Sequence, residues 1–352
     1  GLMYVVFAKV RPNCPGELVE EGYALYQKEG CDGIIAVGGG SSMDCAKIIG
    51  AKVCNPKPLE KYSKTFSVAG RNKTLRDKYP PLIAIPTTAG TGSETTVAAV
   101  VFLPEKELKL VITDAVLIPK VAVLDPEVTL SLPAPVTAAT GMDALTHAVE
   151  SFVSVWADEG TRTDCLRAVE RIGRSLETCF HDPQNVHARE QMLIASFEAG
   201  TAFTNTGVGY VHAIAHTLGA YFHVPHGVAN AMVLPHVLDF YLDRCVVQFV
   251  ELAYAVGAVS QYEPDGLRTK TMIAKAFVAK IRSMNANMAI PHCVSKMTAA
   301  DVDRVVDRAM VEAHGEGHTW NIMDMGYPVP KYMARADMTK IVSNLLPPTS
   351  RL

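Results

Sequence analysis

Two short apolar runs near the start of the chain end directly in loops of small residues. Residues 33–37 (Gly-Ile-Ile-Ala-Val) predict a buried strand, and the glycine-rich turn 38–41 follows it at once. Residues 81–86 predict a second strand that ends in the hydroxyl-rich loop 87–94, and residues 121–125 predict a third strand. Strands that alternate with helical patterns are typical of a parallel sheet with crossover helices. The N-terminal part of the chain therefore predicts an α/β, Rossmann-like nucleotide-binding domain.

Two helix-start signals have the spacing of a capping box. In this motif a hydroxyl and a carboxylate three residues apart satisfy the first free N–H groups of a helix. Ser41 and Asp44 match it directly after the glycine turn, and Thr298 and Asp301 match it ahead of a later helical pattern. We expect both segments to begin helices.

The strand patterns stop after Leu132 and Pro133, and helical periodicity takes over. Apolar residues then recur on one helix face at Met142, Leu145, Val149 and Phe152. We expect an α/β domain over residues 1–132 and an all-helical domain over residues 133–352. About thirty residues precede the Gly38 turn, where a doubly wound domain usually has an initial strand and helix, so we expect the first domain to be N-terminally incomplete.

Composition narrows the class of partner. The formal charge is -3 and no long basic run occurs, so the chain lacks the electrostatic signature of nucleic-acid binding. No apolar stretch is long enough to span a membrane, and the N-terminus has no secretion signal. The eight cysteines form no Cys-x-x-Cys pair, and we expect reduced thiols without a function. A small-molecule substrate is the favoured partner, and we expect a homo-oligomer, a dimer.

The first two loops suit a dinucleotide. Glycines after a strand let the backbone approach a pyrophosphate, and the N–H groups of the next helix's first turn point toward it. The triglycine turn alone is equally typical of an ordinary strand-to-helix connection, because it is not the six-residue dinucleotide pattern. The hydroxyl-rich loop 87–93 belongs in the same crevice, where it could bind phosphate, ribose or the nicotinamide amide.

An aspartate and four histidines recur at helical spacing in the second half. Asp143 and His147 lie four residues apart and project from one helix face, and His212 and His216 repeat that spacing ahead of His226. One such pair is more typical of a helix surface. The segment around His212, however, is apolar nearly all round, so we expect both of its imidazoles to be buried and to need partners. One carboxylate and three imidazoles, with a position open for substrate, suit catalytic iron(II) or zinc.

The chain resembles the iron-containing (group III) alcohol dehydrogenase family over nearly its whole length. The segments that carry the resemblance are 38–47, 85–95, 132–152 and 205–237, of which the stretches 141–150 and 209–230 are the most specific. The resemblance implies a dehydroquinate synthase-like architecture and an NAD- or NADP-dependent enzyme. It also implies Fe²⁺, with Zn²⁺ as the alternative, and interconversion of small alcohols with aldehydes or ketones.

Roles for individual residues follow from the same resemblance. It implies metal ligation by Asp143, His147, His212 and His226. It places His216 beside the nicotinamide, where this imidazole either relays a proton as a catalytic residue or only shapes the pocket. It implies cofactor binding by Gly39, Gly40, Ser41, Asp44, Thr87, Thr88, Thr91 and Lys109.

Some features depart from the family or leave other functions open. The acidic position that helps the family choose NAD over NADP is absent, and the family's Asn-Pro-Arg stretch is replaced by Gly-Tyr-Pro-Val-Pro at 326–330. A hydroxyacid–oxoacid transhydrogenase would use the same residues. A lyase similar to dehydroquinate synthase would carry Glu in place of Asp143. A truncated chain could also be a catalytically impaired scaffold.

The C-terminal residues suggest a location. Two prolines follow Leu346 and end the last helical pattern, so we expect Ser350-Arg351-Leu352 to form a free tail. Ser-Arg-Leu resembles the Ser-Lys-Leu peroxisomal address. We expect a cytoplasmic protein, or one in a peroxisome-type organelle if the source is eukaryotic.

Overall fold

The computed structural model describes residues 1, 3–62, 79–106, 108–260, 269–314 and 326–348. The elements of its N-terminal part are α1 (Gly16–Lys28), β1 (Ile34–Gly38), α2 (Gly40–Cys54), β2 (Leu82–Pro86), β3 (Ala98–Leu103), β4 (Leu108–Thr113) and β5 (Val121–Ala122). Strands β1, β2 and β5 form a parallel sheet in that order, with Ile35 opposite Ile83 and Ile83 opposite Val121. The predicted parallel α/β fold is confirmed. The C-terminal tripeptide 350–352 lies outside the described residues.

Helices make up most of the chain after residue 133. They are α3 (Ala134–Val153), α4 (Glu159–His181), α5 (Val186–Thr206), α6 (Tyr210–Phe222), α7 (His226–Tyr241), α8 (Val246–Ala255), α9 (Lys270–Asn287), α10 (Val302–His314) and α11 (Arg335–Ser343). The capping box predicted at Thr298 is confirmed. The predicted apolar face of α3 is buried, with Met142 and Phe152 both 0% exposed. No described helix is long and apolar enough to cross a membrane.

The helical half and the sheet half have separate hydrophobic cores. The core around α3 draws its buried side chains from residues 138–346, and Ala89 packs against it from the sheet half. The two cores beside the strands draw theirs from residues 14–117. This separation supports our proposed division near residue 132. All eight cysteines are free thiols, as predicted.

Strand β1 is covered on one face only. Met43 and Ala46 of α2 pack against Ala36, whereas Ile35 and Val37 are 61% and 57% exposed. The prediction of a buried strand is therefore wrong for the face of β1 that carries Ile35 and Val37. Neighbouring side chains of a strand point to opposite faces, and α2 covers only the face that carries Ala36.

Helix α2 begins earlier than the capping-box pattern predicts. Its first residue is Gly40, its N-cap is Gly39, and no side chain caps it. Ser41 already lies inside the helix, and its Oγ accepts a hydrogen bond from the backbone N–H of Asn13. The capping box predicted at Ser41 and Asp44 is therefore wrong, because both side chains bond to residues outside the helix. Without a side-chain cap, the first turn of α2 presents backbone N–H groups of the kind that bind anions.

An antiparallel hairpin of β3 and β4 lies beside the parallel sheet, and the sequence analysis does not predict it. Val100 pairs with Val111 near its centre, and alternate residues of 98–103 are buried. Strand β5 is shorter than predicted: of residues 121–125, only Val121–Ala122 form the strand. The sequence therefore predicts the parallel units better than the connections between them.

A buried lysine and an aspartate connect helix α2 to the loop after β2. Lys47 is 0% exposed, and its Nζ donates to the backbone oxygens of Thr96 at 2.9 Å and Ala98 at 2.8 Å. Asp44 accepts hydrogen bonds from Ser93 Oγ at 3.0 Å and from a backbone N–H of β3 at 3.1 Å. These bonds fix the position of the second loop relative to the glycine turn.

Glu94 lies beside these groups but has no comparable partner. It is 2% exposed, and no side chain in the described part of the chain hydrogen-bonds to either carboxylate oxygen. Burial raises the pKa of Glu94 to about 7, while its own backbone N–H and the charge of Lys47 oppose the rise. An ionised carboxylate in this position is costly to the folded state.

Replacing Glu94 should make the protein more stable at alkaline pH. Folded Glu94 keeps its proton up to about pH 7, whereas an unfolded glutamate loses it near pH 4.5, so the wild type loses stability as the pH rises through this window. Glu94→Gln keeps the shape and removes the titration. We expect its advantage in unfolding free energy to grow between pH 4.5 and pH 8 by on the order of 1–3 kcal/mol, measured by urea unfolding.

The control for this prediction is an exposed glutamate. Glu251→Gln on α8 makes the same chemical change at an exposed position, so we expect only a small effect on the unfolding free energy. An equal effect of Glu94→Gln at both pH values would contradict the prediction.

Candidate metal and cofactor site

Three helices carry the residues predicted to bind metal. Asp143 and His147 lie one turn apart on α3, His212 and His216 lie one turn apart on α6, and His226 is the first residue of α7. Side chains four residues apart project from the same face of a helix. Helices α3 and α6 both pack against α7, and this packing brings four of the five side chains into one cluster.

The cluster has the dimensions of a single metal site. Asp143, His147, His212 and His226 each offer a ligand atom, and these four atoms lie within 4.8 Å of one another. Oδ1 of Asp143 is 3.9 Å from Nε2 of His147, 3.9 Å from Nε2 of His212 and 3.4 Å from Nε2 of His226. Donors that share one metal at about 2.1 Å lie about 3.4 Å apart in a tetrahedral site. The donor set therefore fits a divalent transition metal.

The imidazoles of the cluster favour the unprotonated form. Burial lowers the pKa of His212 well below its usual value, and the neighbouring histidines lower it further. Burial also lowers the pKa of His147. The side chain of His226 is 41% exposed, and its partial burial lowers its pKa to about 4, although the charge of Asp143 opposes both shifts. A metal binds the neutral imidazole, so these shifts favour free ligand nitrogens at neutral pH.

Asn230 lies within the cluster, although no sequence pattern predicts it there. It is 0% exposed on α7, one turn after His226. Its Nδ2 donates to Oδ1 of Asp143 at 2.6 Å and lies 3.2 Å from Nε2 of both His212 and His226. The amide therefore connects ligand atoms from three helices. Its four-residue spacing from His226 was the signal that could have revealed it.

His216 stays outside the group of ligand atoms. Its ring stacks on that of His226 with 5.1 Å between centroids, and its side chain is 40% exposed. The prediction that both imidazoles of this helix are buried is therefore wrong for His216. Partial burial acts to lower its pKa, but the charge and hydrogen bond of Glu312 outweigh burial and raise the pKa above its usual value.

Glu312 on α10 holds the ring of His216. Its Oε1 bonds Nδ1 of His216 at 2.5 Å, and the hydroxyl of Tyr327 donates to the same oxygen at 2.8 Å. With Nδ1 engaged, the second ring nitrogen of His216 is left for other partners. Glu312 is not predicted from the sequence, because it lies 96 residues from His216 on a different helix and no local pattern joins the two residues.

A second carboxylate, Glu150 on α3, contacts the Asp/His cluster through Nδ1 of His212, on the side of the ring away from Asp143. Its Oε1 accepts from the backbone N–H of Val211 at 2.7 Å. Its Oε2 accepts from the backbone N–H of Gly209 at 2.9 Å and from Nδ1 of His212 at 2.6 Å. Burial raises the pKa of Glu150 to about 7, and the two backbone donors oppose the rise.

The two predicted cofactor loops are in contact. A Cβ atom placed on Gly39 would lie 3.4 Å from the side chain of Thr88, and one on Gly40 would lie 3.0 Å from that of Thr91. The backbone N–H of Thr87 donates to the carbonyl at the end of β1 at 2.9 Å. The structure therefore brings the glycine turn (residues 38–41) and the hydroxyl-rich loop (residues 87–94, hereafter the threonine loop) together at one edge of the sheet.

The remaining predicted cofactor residues differ in their surroundings. Ser41 and Asp44 bond to protein partners, so they support the turn from inside the domain. Lys109 is an exposed residue of β4, where partial desolvation lowers its pKa and the charge of Glu312 opposes that shift. The charge of Lys109 also acts to lower the pKa of His216. Lys109 is therefore close enough to the histidines for their charges to interact.

Close backbone contacts press the threonine loop against the helical half. A Cβ atom on Gly90 would lie 2.5 Å from the carbonyl oxygen of Thr140, and one on Gly92 would lie 2.6 Å from Cα of Gly200. Gly92 also has φ +60°, a conformation that favours glycine. Because Thr140 precedes Asp143 by one turn of α3, the loop lies directly beside the metal cluster.

Two sequence profiles cover most of the chain. The profile of the iron-containing alcohol dehydrogenases matches residues 1–126, and that of the C-terminal part of the same family matches residues 137–327. The chain belongs to the iron-containing alcohol dehydrogenase family. The resemblance found in the sequence and the dehydroquinate synthase-like fold are thereby confirmed.

Three of the relatives found are 33% to 40% identical to this chain. The chain is 40% identical to 1,3-propanediol dehydrogenase of Citrobacter freundii, over 86% of this chain and 75% of that protein. It is 35% identical to NAD-dependent methanol dehydrogenase of Bacillus methanolicus, over 86% of this chain and 76% of that protein. A crystal structure of 1,3-propanediol oxidoreductase superposes with a TM-score of 0.86 at 33% identity, covering 97% of this chain and 84% of that one.

Family membership fixes the class of reaction. The chain is an oxidoreductase of a family whose named relatives act on alcohols, which sets aside the lyase alternative. The family implies a metal and NAD(P), and the Asp/His cluster is a candidate for that metal. The substrate is accordingly a small molecule.

Loss of any one of the four clustered donors should remove most of the bound metal. Asp143→Ala, His147→Ala, His212→Ala and His226→Ala each leave three donors, and we expect each variant to bind far less metal than the wild type. Mass-spectrometric metal analysis of the purified chains measures this.

His216→Ala is the matched control, because it removes an imidazole beside the cluster but outside the donor set. We expect it to keep its metal. Full occupancy in one of the four variants would exclude that residue from the donor set, and metal loss in His216→Ala would add His216 to it.

Proposed function

We propose that this chain is a metal- and NAD(P)-dependent dehydrogenase that transfers hydride between the cofactor and a small alcohol, aldehyde or ketone. The observation that carries the proposal is the position of the Asp/His cluster beside the crevice of the two cofactor loops. A metal held by the cluster and a nicotinamide held in the crevice could then both contact the same substrate molecule.

Asp143, His147, His212 and His226 would hold the metal, with Fe²⁺ as the family's metal and Zn²⁺ as the alternative. A divalent metal supplies Lewis acidity toward the substrate oxygen, and the nicotinamide supplies the hydride chemistry. The apolar walls of the helical core exclude water from this side of the site, which strengthens the interaction of the donors with a bound cation.

Gly39 and Gly40 would let a pyrophosphate approach the first turn of α2, where backbone N–H groups favour an anion. Thr87, Thr88 and Thr91 would offer hydroxyls from the opposite wall of the crevice. This wall is also the loop that touches the helical half, so a bound dinucleotide would reach toward the metal cluster.

His216 is the proposed proton carrier. Glu312 engages its Nδ1, so the other ring nitrogen is free to exchange a proton with the substrate hydroxyl or with water. Its pKa lies above the usual histidine value, and its partial exposure gives protons a route to solvent. The ring stacks on His226 and is therefore adjacent to the donor set.

The names of the relatives favour short primary alcohols and diols as substrates. 1,3-Propanediol and methanol are the substrates in the names of two proteins that share 40% and 35% of the sequence. Metal-loaded protein should therefore oxidise NADH or NADPH when short aldehydes are added. If metal-containing protein oxidises neither NADH nor NADPH with any of the short aldehydes tested, the proposal is contradicted.

Gly40→Val should weaken cofactor binding. The new side chain would stand in the first turn of α2 and press on Thr91, from which even a Cβ atom would be 3.0 Å away. We expect the Michaelis constant for the cofactor to rise about tenfold or more while the metal content stays constant. Gly160→Val makes the same change in the open first turn of α4 and should leave the constant unchanged. An unaltered constant in Gly40→Val would contradict this placement of the cofactor.

His216→Ala should lower turnover without loss of metal. Removing a proton carrier typically lowers kcat by about 10² to 10⁴, whereas removing a residue that only shapes the pocket mainly changes KM for the alcohol. Steady-state kinetics of the metal-loaded variant separate these outcomes. An unchanged kcat would eliminate the proton-carrier role.

A further inference from the structure

Glu150 is a buried carboxylate that the proposed chemistry does not use. It is 5% exposed and lies on α3, two turns after Asp143, and the histidine that it contacts, His212, belongs to α6. We propose that Glu150 is the positioning residue of the metal site, which fixes the tautomer and ring orientation of His212 so that Nε2 faces the cluster. This inference rests on the proposed metal site.

The hydrogen bonds of Glu150 select one tautomer of His212. A carboxylate only accepts hydrogen bonds, so the 2.6 Å contact between Oε2 and Nδ1 of His212 requires the proton on Nδ1. Nε2 then carries the free lone pair, and Nε2 is the atom that lies 3.9 Å from Oδ1 of Asp143. A carboxylate behind a ligating histidine both orients the ring and increases its basicity as a ligand.

The same carboxylate fixes the start of helix α6 relative to α3. It accepts hydrogen bonds from two backbone N–H groups, that of Gly209, which is the N-cap of α6, and that of Val211 in the first turn of α6. Negative charge at a helix N-terminus also interacts favourably with the helix dipole. Because α3 carries Asp143 and His147, this contact sets how far His212 stands from both of them.

The two oxygens of Glu150 accept hydrogen bonds from three N–H donors, and this explains why the position requires a carboxylate. Glutamine has one acceptor oxygen and one N–H₂ group, so in either orientation its N–H₂ faces at least one of the three N–H donors. Gly209 is constrained as well, because a Cβ atom there would lie 2.7 Å from Oε1 of Glu150. The carboxylate and the glycine therefore form a matched pair.

Glu312 provides the matched comparison. It also bonds Nδ1 of a histidine on α6, but that histidine is His216, outside the donor set, and the Glu312 side chain is 20% exposed. Its described bonds come from the two side chains His216 and Tyr327. The proposal assigns metal positioning to Glu150 and not to Glu312, so of these two carboxylates only Glu150 should weaken metal binding when it is replaced.

The test measures Zn²⁺ affinity by competition with a chromophoric chelator, on full-length chains stripped of metal. We expect Glu150→Gln to bind Zn²⁺ about 10- to 100-fold more weakly than the wild type, and Glu312→Gln to stay within about twofold. Co²⁺ titration adds a spectroscopic readout, because a changed His212 orientation alters the visible bands of the bound ion. Thermal melting of the metal-free chains verifies that each variant is folded.

Gly209→Ala decides the matter if Glu150→Gln does not fold, since it displaces the carboxylate without removing it. Weakened Zn²⁺ binding in Gly209→Ala would support the proposal. Wild-type affinity in a folded Glu150→Gln or, failing that, in Gly209→Ala would overturn it while leaving the proposed metal site intact. A wild type that binds no Zn²⁺ would overturn the metal site and this inference together.

Discussion

Close backbone contact between the two halves is the constraint on which the rest of the structure depends. Gly90 and Gly92 of the threonine loop meet Thr140 and Gly200 at distances that leave no room for a Cβ atom. A third close contact lies within the helical half, where a Cβ on Gly227 would lie 2.1 Å from the carbonyl oxygen of Ala139. The first two contacts bring the cofactor loop to helices α3 and α5, and the third brings the start of α7 to α3. Because these contacts involve backbone atoms, they leave little freedom in the distance between the crevice and the Asp/His cluster.

Most buried polar groups of the cluster hydrogen-bond to one another, although Oδ1 of Asn230 and Nδ1 of His147 have no hydrogen-bond partner among the described residues. Asn230 and Glu150 supply a donor and acceptors to the cluster, and each is itself almost inaccessible to water. Such a network stabilises one arrangement of three helices, because a shift in any helix leaves a buried polar atom unpaired. Glu94 is the contrast, since it is equally buried without side-chain partners, and its burial opposes folding once it is ionised.

Local patterns predict the parallel strands and the helical half of this protein, but they miss the hairpin of β3 and β4 and the contacts between distant residues. The strand-to-glycine turns and the four-residue spacing of Asp143 and His147 follow from periodicity alone, and the family resemblance adds the residue roles. Glu312 could not be found this way, because its partner lies 96 residues away. The failed capping box at Ser41 has the same cause: tertiary partners from residues 13 and 93 compete for side chains that local rules assign to the helix.

The half-covered sheet has a consequence for how the protein behaves at high concentration. Strand β1 is one edge of the described parallel sheet, and its uncovered face presents Ile35 and Val37. Val121 of β5, the strand at the other edge, and the nearby Val123 are 49% and 41% exposed. Edge strands with apolar side chains are templates for pairing with strands of other molecules. Within the part of the chain that the structure describes, the β1 edge is therefore open to pairing with a second molecule, and a charged residue at position 35 or 37 would oppose such pairing.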